Sequence, residues 1–86
     1  MIETLTLSIR NGSHTFSAVD TKGSIIEKLG EPDDIGGFFG KKKIPLIQKY
    51  ESVEFHYELD GSLRMIYQLG RNGVPYLCVP FSYENI

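Results

Sequence analysis

Leu5, Leu7 and Ile9 alternate with Thr4, Thr6, Ser8 and Arg10, the two-residue period of a half-buried strand. Asn11-Gly12 follows at once, and both residues tolerate positive φ, so a hairpin turn is expected there. A return strand would carry His14, Phe16 and Ala18 on one face. The period then changes. Ile25, Ile26 and Leu29 fall at helical spacing behind Asp20 or Thr21, either of which can cap a helix. Gly30 stands where a left-handed C-terminal cap belongs, and proline in Glu31-Pro32 disfavours the α conformation in the residue before it. The pattern predicts a short helix over Lys22 to Leu29, which needs tertiary packing to persist.

Asp33 to Lys43 reads as a loop, with Gly36, Gly37 and Gly40 around Phe38-Phe39 and then Lys41-Lys42-Lys43. Beyond it an antiparallel β-meander is expected. Val53, Phe55 and Tyr57 alternate with Glu54, His56 and Glu58, while Leu63, Met65 and Tyr67 alternate with Arg64, Ile66 and Gln68. A three-residue loop Leu59-Asp60-Gly61 pairs Tyr57 with Leu63 and Phe55 with Met65. A two-residue Asp60-Gly61 turn would set Phe55 opposite Ile66 and Tyr57 opposite Arg64, so the longer loop is preferred. By the same reasoning a loop at Arg71-Asn72-Gly73 places Leu77 opposite Tyr67 and Val79 opposite Met65. Ile44, Leu46 and Gln48 to Tyr50 begin the first of these strands early, with a break near Glu51-Ser52. Pro75 and Pro80 mark the last strand as an edge, because proline cannot donate to a ladder. The expected fold is α+β: one short helix packed on an antiparallel β-meander, with an N-terminal β-hairpin.

Length narrows this further, since 86 residues have room for a single domain spanning 1–86. The formal net charge of −2 carries no overall footprint for nucleic acid or an anionic membrane. The single cysteine, Cys78, excludes an internal disulfide and fits a reducing compartment. The N-terminal residues show no basic and apolar signal-peptide pattern, and no apolar run is long enough to span a bilayer, so the cytoplasm is the expected location. Asn11-Gly12-Ser13 matches a glycosylation pattern but is read as a turn.

Candidate chemistry is sparse. A phosphate-binding loop ending at Gly40-Lys41 would need glycine where Ile35 stands and Ser or Thr where Lys42 stands, so Lys41, Lys42 and Lys43 read as a solvated face able to offer a local anion contact. Phe38 and Phe39 have two readings: they plug the open side of a small core, or they anchor a partner protein. Glu54, His56 and Glu58 form a stripe on the outward side of their strand, either a plain polar face or a weak carboxylate–imidazole cation site. Cys78 lies between inward-facing Leu77 and Val79, so it faces outward or toward a partner sheet and reads as an inert thiol rather than a nucleophile. Asp33-Asp34 after Glu31-Pro32 reads as turn chemistry, or as an acidic contact for a basic partner. No catalytic constellation, metal set or cofactor motif is evident, and the chain is not expected to be an enzyme.

Leu29-Gly30-Glu31-Pro32-Asp33-Asp34, Lys49-Tyr50, Val53-Glu54-Phe55-His56-Tyr57 and Asp60-Gly61-Ser62-Leu63-Arg64-Met65-Ile66-Tyr67 together resemble a group of small uncharacterised bacterial proteins. These carry an LG-x-PD segment followed by a KY…EFH…DG hairpin. Small proteins of this look include immunity proteins that neutralise toxins by binding them. A helix ending in LG-x-PD before a meander is also similar to small outer-membrane assembly lipoproteins, whose lipid-attachment signal is missing here. The resemblance implies no particular residues; the missing catalytic constellation, the aromatic pair in a glycine loop and the acidic outward face lead to the expectation of a non-enzymatic module that binds another protein through Phe38, Phe39, Lys41, Lys42, Glu54, His56 and Glu58. The alternative is a small-molecule or metal-binding domain, or a minimal enzyme, using His56 and tyrosines on the sheet. A third possibility is a homo-oligomer joined through edge strands, with Thr4 to Arg10 as the open edge.

Overall fold

The computed structural model describes residues 4–81. Two strands, β1 (Thr4–Ile9) and β2 (Gly12–Ser17), form the N-terminal hairpin, and helix α1 (Lys22–Leu29) follows. Then come β3 (Asp34–Phe39), β4 (Ile44–Tyr50), β5 (Val53–Tyr57), β6 (Leu63–Leu69) and β7 (Pro75–Pro80). These last five form one antiparallel sheet in sequence order, a meander, while β1 and β2 form a separate two-stranded sheet.

The helix has the bounds that its sequence pattern predicts, Lys22–Leu29. Thr21 caps it in a reciprocal box: Thr21 Oγ1 accepts from the Ser24 amide and Ser24 Oγ accepts from the Thr21 amide. Gly30 ends it at φ 83° and ψ −161°, an extended left-side conformation rather than the left-handed helical cap expected. In the first hairpin the turn lies one residue earlier than the Asn11-Gly12 signal suggested. Arg10 and Asn11, at φ 57° and 62°, are its central residues, and Ile9 pairs with Gly12. Arg10 tolerates that conformation because its position is heavily tied. Its guanidinium donates to the Leu29 and Glu31 carbonyls and to Asp33 Oδ1, and its backbone N–H donates to Glu51 Oε2.

The segment expected to be a loop is the largest correction. Asp34–Phe39 is strand β3, paired with β4 from Asp34↔Lys49 to Phe39↔Ile44, and the turn Gly40–Lys43 joins them. Glycine density suggested irregular chain, but the cross-strand ladder to β4 overrides local propensity. At Gly37, φ is 61° and a Cβ would lie 2.8 Å from the Ile47 side chain, so only glycine fits this part of the strand. The break at Glu51-Ser52 is a two-residue turn between separate strands, with Tyr50 opposite Val53.

The β5–β6 register starts as predicted, with Tyr57 opposite Leu63, and then changes. His56 pairs with Met65, so Arg64 is an extra residue and Phe55 faces Ile66, not Met65. This bulge switches the inward set of β6 from Leu63 to Ile66 and turns Met65 and Tyr67 outward. The shift passes to β7, where Val79 pairs with Ile66, Cys78 with Tyr67 and Leu77 with Gln68. Pro75 and Pro80 do lie on an edge strand.

The core lies between the inner face of the meander and the helix with its hairpin. Phe16, Ile25, Leu29, Tyr50, Val53, Phe55, Tyr57, Ile66 and Val79 are buried together, with Leu5, Leu7 and Ala18 packed against them. The Phe16 ring meets Phe55 edge-on at 5.0 Å, and Tyr50 meets Phe55 at 5.6 Å. Two buried polar side chains are satisfied. Asp20 accepts from the Ser17 amide, Ser24 Oγ and Lys28 Nζ, and Gln48 Oε1 accepts from the Tyr57 hydroxyl. No residue of β3 belongs to this core.

Candidate binding surface

Residues opposite one another in a ladder share a face, so the pairing defines the side of the sheet that the helix does not cover. One row across it reads Asp34, Lys49, Glu54, Tyr67, Cys78, and the next reads Gly36, Ile47, His56, Met65, Pro80. Lys49 is thus flanked by two carboxylates. The floor between these rows on β3, β4 and β5 is an open depression of about 160 Å³ lined by Asp34, Ile35, Gly36, Ile47, Lys49 and Glu54.

Of the outward stripe, the structure brings two members together and separates the third. His56 Nε2 lies 3.1 Å from Glu54 Oε1, and the His56 ring meets Tyr67 edge-on at 4.5 Å. Glu58 is beyond the end of β5, exposed, with Arg64 Nε at 3.9 Å from its carboxylate. The three do not form one cluster, and among the described residues no group of three His, Cys, Asp or Glu is placed to hold a metal ion. Tyr50 and Tyr57 are on the opposite face from His56. Burial pushes the Tyr50 phenol up to about 12, with Arg10 pulling the other way, and it raises Tyr57 further still. These phenols are core groups whose hydroxyls donate to the Gly30 carbonyl and to Gln48. Cys78 is exposed, as its outward position requires, with Sγ 3.2 Å from Met65 Sδ.

The β3–β4 hairpin holds the other candidates. Phe38 and Phe39 are 55% and 50% exposed, so neither plugs the core. Adjacent residues of a strand point to opposite faces, and at this end neither face is covered. Phe38 pairs with Pro45 and Phe39 with Ile44, and Ile35 and Ile44 are exposed as well. Lys41 and Lys42 sit at the exposed tip between them, in the turn closed by the Lys43 amide donating to the Gly40 carbonyl. Asp33 has a structural task instead: Oδ1 pairs with Arg10 at 2.7 Å and Oδ2 accepts from the Glu51 amide. Sequence reasoning missed Asp34 and Lys49 as neighbours of Glu54, because the row needs Ile44–Tyr50 folded back as a separate strand beside β5 and Asp34–Phe39 as a strand beside that.

No family model, curated protein or solved structure matches this chain. No helix is long and apolar enough to cross a membrane among the described residues.

Proposed function

We propose that the chain is a non-enzymatic protein-binding module whose contact surface is the β3–β4 hairpin and the adjoining outer face of the sheet. The observation that carries this reading is the exposure of Phe38 and Phe39 on the two uncovered faces of an edge strand, next to Lys41 and Lys42. A small domain leaves large aromatics in water at a cost, and contiguous exposed apolar surface marks contact sites. Covering the exposed half of both rings would contribute on the order of 2–3 kcal/mol before losses from ordering. Large exposed aromatics are the usual anchors of an interaction hot spot. Neutralisation of a bacterial toxin by occlusion is the form of this function that the sequence resemblance suggests. Glu54 and His56 would then supply polar contacts beside the apolar anchor.

The test is affinity capture with the tagged chain from its native host, run beside the Phe38→Ser/Phe39→Ser double variant. A partner retained by the parent and lost by a folded variant supports the reading. A variant that unfolds would return the pair to a structural role, and a partner retained equally by both would move the contact surface elsewhere.

A further inference from the structure

The β3 edge is complementary to itself, and we propose that it pairs antiparallel with the β3 edge of a second copy of this chain, about a two-fold axis at Gly37. This rests on the hairpin being a binding surface and names the occupant that fits its open edge.

Three observations point to a second copy. The first is the order of charge along the edge. Glu31, Asp33 and Asp34 lie at its N-terminal end and Lys41, Lys42 and Lys43 in the turn at its C-terminal end; Asp33 is paired with Arg10, while no ion pair among the described residues involves Glu31, Asp34 or any of these lysines. A two-fold antiparallel arrangement brings the acidic end of each copy against the basic end of the other. The complementarity is satisfied twice, as an isologous interface requires.

The second is shape. Pairing about Gly37 sets Ile35 opposite the partner copy's Phe39 and Gly36 opposite its Phe38. Beyond the ladder it brings the acidic bend that holds Glu31 close to the partner copy's basic Gly40–Lys43 turn. Ile35 and Phe39, both exposed and both in register with the inner face through Gln48 and Ile44, become an aromatic–β-branched cross-strand pair. Phe38 covers the space left by Gly36, which has no atom within 4 Å of where a Cβ would stand. Gly37 meets its own copy at the axis, where the absence of side chains permits close approach.

The third is the treatment of the two edges of the sheet. The opposite edge, β7, also exposes Tyr76 and Leu77, but it carries Pro75 and Pro80 at its two ends and a register shift beside Leu69. Prolines and bulges are devices that prevent edge-to-edge pairing. Strand β3 has no proline. The positive φ of Gly37 bends it locally, so the ladder is short and the dimer is expected to be reversible and concentration-dependent.

Sedimentation equilibrium across a wide concentration range tests this, with folding of each variant checked by thermal unfolding. The parent chain is expected to move from one to two copies as concentration rises and to shift back in high salt. Glu31→Lys alone and Lys43→Glu alone each oppose like charges twice, and each should weaken the dimer about tenfold. An equimolar mixture of these two variants recovers both opposite-charge contacts and should restore association. A parent chain that stays monomeric throughout overturns the proposal, as does a dimer indifferent to both charge variants. If the parent is monomeric while the Phe38→Ser/Phe39→Ser variant still loses a captured partner, the pairing fails and the binding-module reading stands. If the parent is monomeric and no partner is captured, both fall.

Discussion

The two hairpins that flank the helix place their phenylalanines in opposite ways. The β1–β2 hairpin places Ile9 and Phe16 at 1% and 0% exposure against the helix and the meander. The β3–β4 hairpin leaves Phe38 and Phe39 about half exposed, although it belongs to the larger sheet. Hydrophobicity does not separate these phenylalanines. What separates them is whether another element lies over the surface they occupy. The single eight-residue helix and the first hairpin are together wide enough to cover the middle of the meander and not its β3 edge. An apolar residue on that edge is therefore available to something outside the chain.

That contrast can be broken most forcefully at its buried side. Phe16→Ala removes a ring packed on Phe55 and under Lys28 Nζ, and it should destabilise the fold by about 3–5 kcal/mol in urea unfolding. A smaller loss is expected at the joint between the two hairpins. Arg10→Ala abolishes the bonds to Leu29, Glu31 and Asp33 and the stacking over Tyr50 at 5.0 Å, and it should cost about 2 kcal/mol. An Arg10→Ala stability equal to that of the parent would mean that the guanidinium adds nothing net to holding the hairpins together.

Asp20 sharpens the same side through pH. Burial is the largest single influence on its carboxyl and raises its pKa, but Ser24, the Ser17 amide and Lys28 together hold it below the ordinary value. A carboxyl depressed in the folded state contributes stability that is present above its unfolded pKa of about 4 and is lost as pH falls through the folded pKa. Asp20→Asn should therefore cost about 1–2 kcal/mol at neutral pH and show a shallower loss of stability in acid, read from urea midpoints between neutral pH and pH ~2. The smallest effect belongs to the exposed hairpin. Phe38→Ser/Phe39→Ser should change unfolding free energy by no more than about 0.5 kcal/mol, because neither ring contributes to the core. A loss several times larger would erase the distinction between the two hairpins.

Much of the fold was legible because it is written in local spacing. The helix bounds, a cap at Asp20 or Thr21, the inward set Val53, Phe55 and Tyr57, and the edge position of the proline-bearing strand all follow from the side-chain period and backbone chemistry of a few neighbouring residues. The β6 bulge was hidden for the same reason. Leu63, Met65 and Tyr67 and the alternative set ending in Ile66 are equally apolar, so inserting Arg64 leaves no mark in the alternation. Strand β3 was hidden because Gly36, Gly37 and adjacent phenylalanines present neither a two-residue nor a helical period. The candidate residues at the hairpin were visible as types, but Asp34 and Lys49 as members of the Glu54 row were not.

The sequence by itself determined the helix and its stop and the alternating strands of the first hairpin and of β5, since those depend on forces acting within a few residues. Tertiary structure decided that Asp34–Phe39 is a strand, that Ile66 and not Met65 faces Phe55, and that Phe38 and Phe39 stay in water. Each of those outcomes depends on ladder bonds to a neighbouring strand and on how far one short helix can reach across a five-stranded sheet.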